Sequence, residues 1–359
     1  MSTTASTPRE RTDNPADRAA RAQASLASLS SARRIRLGLS ALILMLLAAC
    51  AFSILVGARA LDPSVFWQML SGQRPEHAEI IDARIVRTIW GLIIGVSLGL
   101  AGAGMQGITR NPLGDPGILG VNAGASFAVV TGIVFFGVTS VTAYSLLAFV
   151  GASLAAVLVY ALAMIGKDGA TPVKLALMGA AITAGLGSLT SAFILINQNA
   201  LDDLRRWQVG SIAGKHLENL WPAGLLIIVG ALIVLSGART INNFALGDDM
   251  AASLGENVAL KRVLISLGVT LLCGAAVALA GPIAFLGLMA PHAMRSLISA
   301  DYRYLLPTSA LFSAVILLVA DTVGRFLLPP QEIQVGVMII AVGVPVFIYL
   351  IRTNKAVNL

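Results

Sequence analysis

Charge is scarce in this 359-residue chain: 12% of its residues are Asp, Glu, Lys or Arg, against 57% hydrophobic. With a mean hydropathy of +0.83, there is more apolar side chain than one water-soluble core can enclose. That argues against a soluble domain and for a bilayer protein. Cysteine is nearly absent, and Cys50 and Cys273 both fall in apolar runs, which argues against a disulfide framework. Histidine is as rare. His77, His216 and His292 are widely separated, and no HExxH, CxxC or GxSxG pattern occurs, so zinc, metalloprotease and nucleophile-elbow chemistry lack their usual residues. His292 has Met289 and Met294 nearby in "LMAPHAMR", but one imidazole at a helix end beside a proline is a poor metal ligand set. No metal or cofactor is expected on this chain. Without a GxxxxGK[ST] loop, it cannot bind ATP through that motif, and energy from ATP must come from a partner. The basic residues are not interleaved with aromatics, which argues against nucleic acid.

What the chain has in abundance is apolar runs of membrane-spanning length. A helix of roughly 20 residues crosses the ~30 Å hydrocarbon core. Such runs lie at 37–57, 88–108, 118–136, 144–165, 175–196, 220–236, 263–280, 283–298, 305–327 and 333–351. The eighth is short and contains Pro291, His292 and Arg295. The reading is an all-α polytopic membrane protein of about ten helices. With the N-terminus inside, cytoplasmic segments hold about twice as many Lys and Arg as external ones, as the positive-inside rule requires. Residues 1–36, rich in Ser, Thr, Ala and Arg, have little to bury and read as a disordered cytoplasmic tail ahead of a membrane domain over 37–359. "SARRIRLGLSALILMLLAAC", ending at Cys50, imitates a lipoprotein signal, but the many apolar runs that follow argue against cleavage.

Several polar or small-residue features interrupt the apolar pattern. Gly91, Gly95 and Gly99 are spaced for close helix packing. Asp321 and Arg325 stand four apart inside an apolar run, the spacing of a charge pair on one helix face. In "LDPSVFWQML", Asp62 is placed to cap a short interfacial helix with Pro63 at its first position. The stretch 244–255, "FALGDDMAASLG", is too short to span and lies on the cytoplasmic side by charge. Leu246, Met250 and Leu254 recur every four residues, giving an apolar face opposite Asp248 and Asp249, while Gly247 and Gly255 mark turns.

From about Arg84 onward these stretches resemble one family. "RIVRTIWGLIIGVSLGLAGAGMQGITRNPLGDPGILGVNAGA" is similar to the hallmark segment of FecCD-type permeases, the membrane subunits of ABC importers for ferric siderophores, haem and cobalamin. "WQVGS", "ALGDDMAASLG", "GPIAFLGLMAPHAMR", "LLPTSALFSAVILLVADTVGRFLLPPQE" and "IAVGVPVFIYLI" follow in the family's order.

The resemblance implies a type II ABC importer permease in the bacterial cytoplasmic membrane. It implies a permease dimer, of identical chains or paralogues, two ATPase subunits that hold ATP and Mg, and an extracytoplasmic binding protein. It assigns 244–255 to two short helices docking into the ATPase, and Arg84, Arg87 and Arg325 to receiving acidic residues of the binding protein. The path is implied to run along the fifth and tenth helices, with the cytoplasmic gate near Thr171 and Pro172. Pro172 and Val173, where small hydroxyl residues are usual, and Gln334, where proline is common, depart from the family pattern. Ferric siderophore is the cargo the resemblance favours, with haem and cobalamin as alternatives. From the residues alone, an ion-coupled secondary transporter with Asp321 as its titrating group is the competing reading.

Overall fold

The computed structural model describes residues 15–353, apart from Ala60, Glu76, Lys167, Asp168, 216–219 and Pro330. Residues 1–14 of the expected tail, His216 and the extreme C-terminus lie outside the described residues. Among the described residues, all regular structure is helical: α1 (Pro15–Leu55), α2 (Pro63–Leu70), α3 (Ala78–Thr109), α4 (Val121–Phe136), α5 (Val141–Ala163), α6 (Pro172–Ile196) and α7 (Gln198–Gln208) come first. A 3₁₀ turn, Pro116–Leu119, precedes α4. They are followed by α8 (Leu220–Ser236), α9 (Ala238–Phe244), α10 (Asp248–Ser253), α11 (Val258–Ala280), α12 (Leu286–Leu297), α13 (Tyr302–Leu327) and α14 (Val335–Thr353).

Each of the ten apolar runs contains a helix, but the helices are unequal. Six are long and apolar enough to cross a membrane, and α8 with α9 makes a seventh candidate bent by 51°. Residues 121–136 of α4 and 335–348 of α14 are shorter apolar helices. The eighth run is the marked departure, since α12 has only 12 residues, about 18 Å at 1.5 Å per residue. The chain reaches it through non-helical backbone from Gly281 to Phe285, the latter at φ 67°. Protein shelters that backbone: the Ser211 amide donates to the Ala280 carbonyl at 2.7 Å, and a Cβ on Gly281 would lie 2.3 Å from the Trp207 carbonyl oxygen.

α1 begins at Pro15, within the stretch expected as a tail, and runs on into the first apolar run. Ala and Arg, which dominate 16–27, are strong helix formers, and extending an existing membrane helix avoids the nucleation cost.

α3 and α11 form the interior of the bundle. The glycine stripe of α3 does what its spacing indicates: a Cβ at Gly95 would stand 2.5 Å from Ala314 Cα of α13. At Gly102 it would stand 1.8 Å from the Gly287 carbonyl oxygen of α12, so the α3 backbone lies directly on its neighbours. α6 is the opposite case, with only Leu175, Gly179 and Thr190 buried.

Candidate functional site

Three clusters define the site, the first being the hairpin of α9 and α10. Phe244 ends α9 fully buried, and Gly247 at φ 103° and Gly255 at φ 87° make turns that a side chain would strain. Between them Leu246, Met250 and Leu254 are 62%, 53% and 57% exposed, so the subunit leaves this apolar face unpacked. The hairpin is nonetheless fixed. Asp248 accepts from Arg110, the left-handed cap of α3, at 2.5 Å and from Arg262 of α11 at 2.8 Å. Glu256 accepts from Thr240 at 3.1 Å and Asn243 at 3.0 Å. Asn242 of α9 donates to Asp301, the α13 cap, and accepts from the Tyr302 amide. Hydrogen bonds from Arg303, then from the Arg303 amide and Asn242, hold the Asp301 carboxyl down at about 2, with burial opposing them. The two acids expected opposite the apolar face therefore differ: Asp249 is exposed, whereas Asp248 is the anchor.

The second cluster lies where α1 ends and α3 begins. Arg84, Arg87 and Arg325 come together around a cavity of about 660 Å³, with Arg59, Lys215, Asp82 and Glu332 also in its wall. They form a recess and not the projecting rim that helix-end arginines suggest, and each already has partners inside the subunit. Arg84 donates to the carbonyls of Ile54, Leu55 and Arg59 and so caps the C-terminus of α1. Arg87 forks onto Asp321 at 2.8 and 2.9 Å and reaches Glu332 at 2.6 Å. Asp321 and Arg325 meet at 3.3 Å, and Arg325 also donates to Ser53 and Thr322. The i,i+4 spacing correctly paired Asp321 with Arg325, but the shorter contacts, to Arg87, come from a helix 234 positions away.

The third cluster is the start of α6. Thr171 is its N-cap, accepting from the Lys174 amide at 3.3 Å, and Pro172 takes the first turn. Lys174 Nζ donates to the carbonyls of Ile165 and Gly169, closing the α5–α6 turn into a compact unit. Arg262 Nη1 donates to the Ala170 carbonyl at 3.2 Å. Elsewhere, Asp62 caps α2 as its sequence indicates, and the hydrogen bond from the Ser64 amide lowers its carboxyl. His292 packs its ring edge to face against Phe347, 5.7 Å between centroids.

A bundle with six helices long and apolar enough to cross a membrane, a braced short-helix hairpin and a basic recess is a polytopic α-helical architecture, and the class of permease it belongs to is shown by its relatives. The chain belongs to the FecCD transport family, whose profile matches residues 44–353. It is 43% identical over 313 residues to the ferric enterobactin transport system permease protein FepD of Escherichia coli K12, covering 87% of this chain and 93% of that one. It is 40% identical to the probable siderophore transport system permease protein YfiZ of Bacillus subtilis 168, over 77% of this chain and 83% of the relative. Among solved structures it resembles an ABC transporter described as metal-chelate type in an inward-facing conformation, with a TM-score of 0.76 and 28% identity. That match covers 89% of this chain and 99% of the other.

Proposed function

We propose that this permease carries ferric siderophores inward across the bacterial cytoplasmic membrane, driven by ATP hydrolysis on two separate ATPase subunits. The observation that carries the reading is the exposed triad of Leu246, Met250 and Leu254 on a hairpin locked by Asp248, Glu256 and Asn242. A fold with no use for that apolar face gains nothing by holding it rigidly in view, whereas a docking partner gains a preorganised contact. The hairpin, with Gly247 and Gly255 as its turns, is the ATPase contact and faces the cytoplasm, as does the N-terminus. The recess at Arg84, Arg87 and Arg325 is the landing place for acidic side chains of an extracytoplasmic binding protein. Thr171 and Pro172 stand at the cytoplasmic gate. The sparsely packed α6 and the exposed apolar residues of α14, Val337, Ile340 and Val346 among them, meet a second permease subunit. A siderophore cargo is supported by the ferric enterobactin and siderophore permeases among the relatives. A cobalamin permease of Halobacterium salinarum at 36% identity keeps that cargo as the comparison to test.

The ion-coupled alternative is disfavoured by Asp321 itself. Its carboxylate is 1% exposed and engaged by the guanidiniums of Arg87 and Arg325, so it is enclosed by protein and faces no path. Reconstitution separates the readings: the permease with its ATPases and binding protein should take up ferric siderophore only with ATP. Uptake by the chain alone under a proton or sodium gradient would replace this reading with the secondary transporter.

A further inference from the structure

We propose that Arg262 is the positioning residue that transmits movement of the α9–α10 hairpin to the start of α6. The proposal rests on the hairpin being the ATPase contact. Arg262 is only 5% exposed, and its fork joins the hairpin to the backbone just before α6. Nη2 holds Asp248 of α10 at 2.8 Å, and Nη1 holds the Ala170 carbonyl at 3.2 Å. The guanidinium carbon also lies 5.3 Å from the centroid of the Phe244 ring at the end of α9.

The geometry downstream suits a lever. Ala170 immediately precedes Thr171, the cap of α6, and Lys174 binds the same turn to the first turn of the helix. Displacing Ala170 therefore displaces the helix start. Farther along, a Cβ on Gly179 would lie 1.6 Å from the Ile118 carbonyl oxygen, so α6 bears on the 3₁₀ turn at one close point. Beyond that point α6 packs on α4 through Phe193, stacked on Phe127 at 5.6 Å between centroids, so Ala170 is the handle at the helix start and Gly179 the first close contact beyond it. A planar fork suits this work because it fixes two acceptors in one rigid plane, which a flexible ammonium does not.

The decisive variant is Arg262→Lys, which keeps a charge for Asp248 but cannot hold both acceptors in the fork geometry. In the full complex, reconstituted with the binding protein and labelled ferric chelate, it should still retain the ATPase on purification. Transport per ATP hydrolysed should fall about tenfold, the scale of one charge-assisted hydrogen bond. A residue that merely supports the hairpin would be rescued by Lys in both readouts, and wild-type transport per ATP in Arg262→Lys overturns the proposal. Should Arg262→Lys not fold, Asp248→Asn tests the same link. A maleimide on Val173→Cys, on the exposed first turn of α6, should lose its nucleotide-dependent reactivity in either variant, and an unchanged response contradicts the relay. Failure of the underlying hairpin reading shows separately, as ATPase retained after Leu246 and Leu254 are both replaced by Asp.

Discussion

Arg87 of α3 and Asp321 of α13 are joined by three N–H···O contacts of 2.8, 2.9 and 3.2 Å. Arg325 faces the same carboxylate, so a single buried acid neutralises two guanidiniums. Deleting it leaves Arg325 without an acidic partner and Arg87 with Glu332 alone, a cost of about 3–5 kcal/mol. Asp321→Ala should lower the detergent-solubilised unfolding temperature markedly. Glu332→Gln, at a carboxylate 36% exposed, should cost less than about 1 kcal/mol. Equal effects in thermal melts would show that the buried pair does not organise this end of the bundle.

Backbone proximity at Gly102 makes a second expectation. A methyl group there would stand 1.8 Å from the Gly287 carbonyl oxygen, so Gly102→Ala must push α12 off α3. Gly185 of α6 has nothing within 4 Å of its added Cβ. Gly185→Ala should therefore be neutral or stabilising by up to about 1 kcal/mol through helix propensity. Yield of monodisperse protein and its melting temperature will separate the two; a normal Gly102→Ala protein would contradict the close-packing account.

The basic recess is best probed where the fold does not depend on the charge. Arg84 caps α1, so its replacement mixes docking with stability. Lys215 lines the same cavity without an ion-pair partner among the described residues. Lys215→Glu should slow association with the binding protein several-fold at low salt and flatten its salt dependence, with dissociation little changed. Unaltered association kinetics by surface plasmon resonance would place docking elsewhere.

Asp301 supplies a pH test. Its carboxyl is held at about 2, below the ordinary aspartate value of about 3.9. A depressed folded value means its stabilising contribution is complete above about pH 3.9 and disappears as pH falls through about 2. The melting-temperature difference between wild type and Asp301→Asn should be constant from pH 7 to 5 and shrink only in stronger acid. A difference that already shrinks by pH 5 would mean Arg303 and Asn242 do not hold the carboxylate.

The long helices were legible because a bilayer leaves the backbone no partner but itself, so apolar runs of the right length announce their structure. The glycine stripe of α3 and the cap at Asp62 were legible for similarly local reasons. The eighth run was legible as short, but not the non-helical backbone before α12, which residues remote in sequence, Trp207 and Ser211, shelter. The same distance hid Arg87 from Asp321 and Arg110 from Asp248, 138 positions apart. Local spacing showed the apolar face of the hairpin but not its bracing, because Arg110 and Arg262, which hold Asp248, stand on other helices. The start of α1 at Pro15 fits the alanine-rich composition of 16–27.

The central claim is that the unpacked face of Leu246, Met250 and Leu254 is the ATPase contact, and it can be measured directly. The permease with Leu246→Asp and Leu254→Asp should be as abundant and as thermally stable as wild type, because both side chains are exposed in the subunit. Each Asp would have to be buried unpaired on docking, at a cost of several kcal/mol. Affinity-purified variant permease is therefore expected to recover less than a tenth of the wild-type amount of ATPase, a loss of about 1.4 kcal/mol or more. Recovery equal to wild type, with ATP-driven uptake intact, would contradict the assignment.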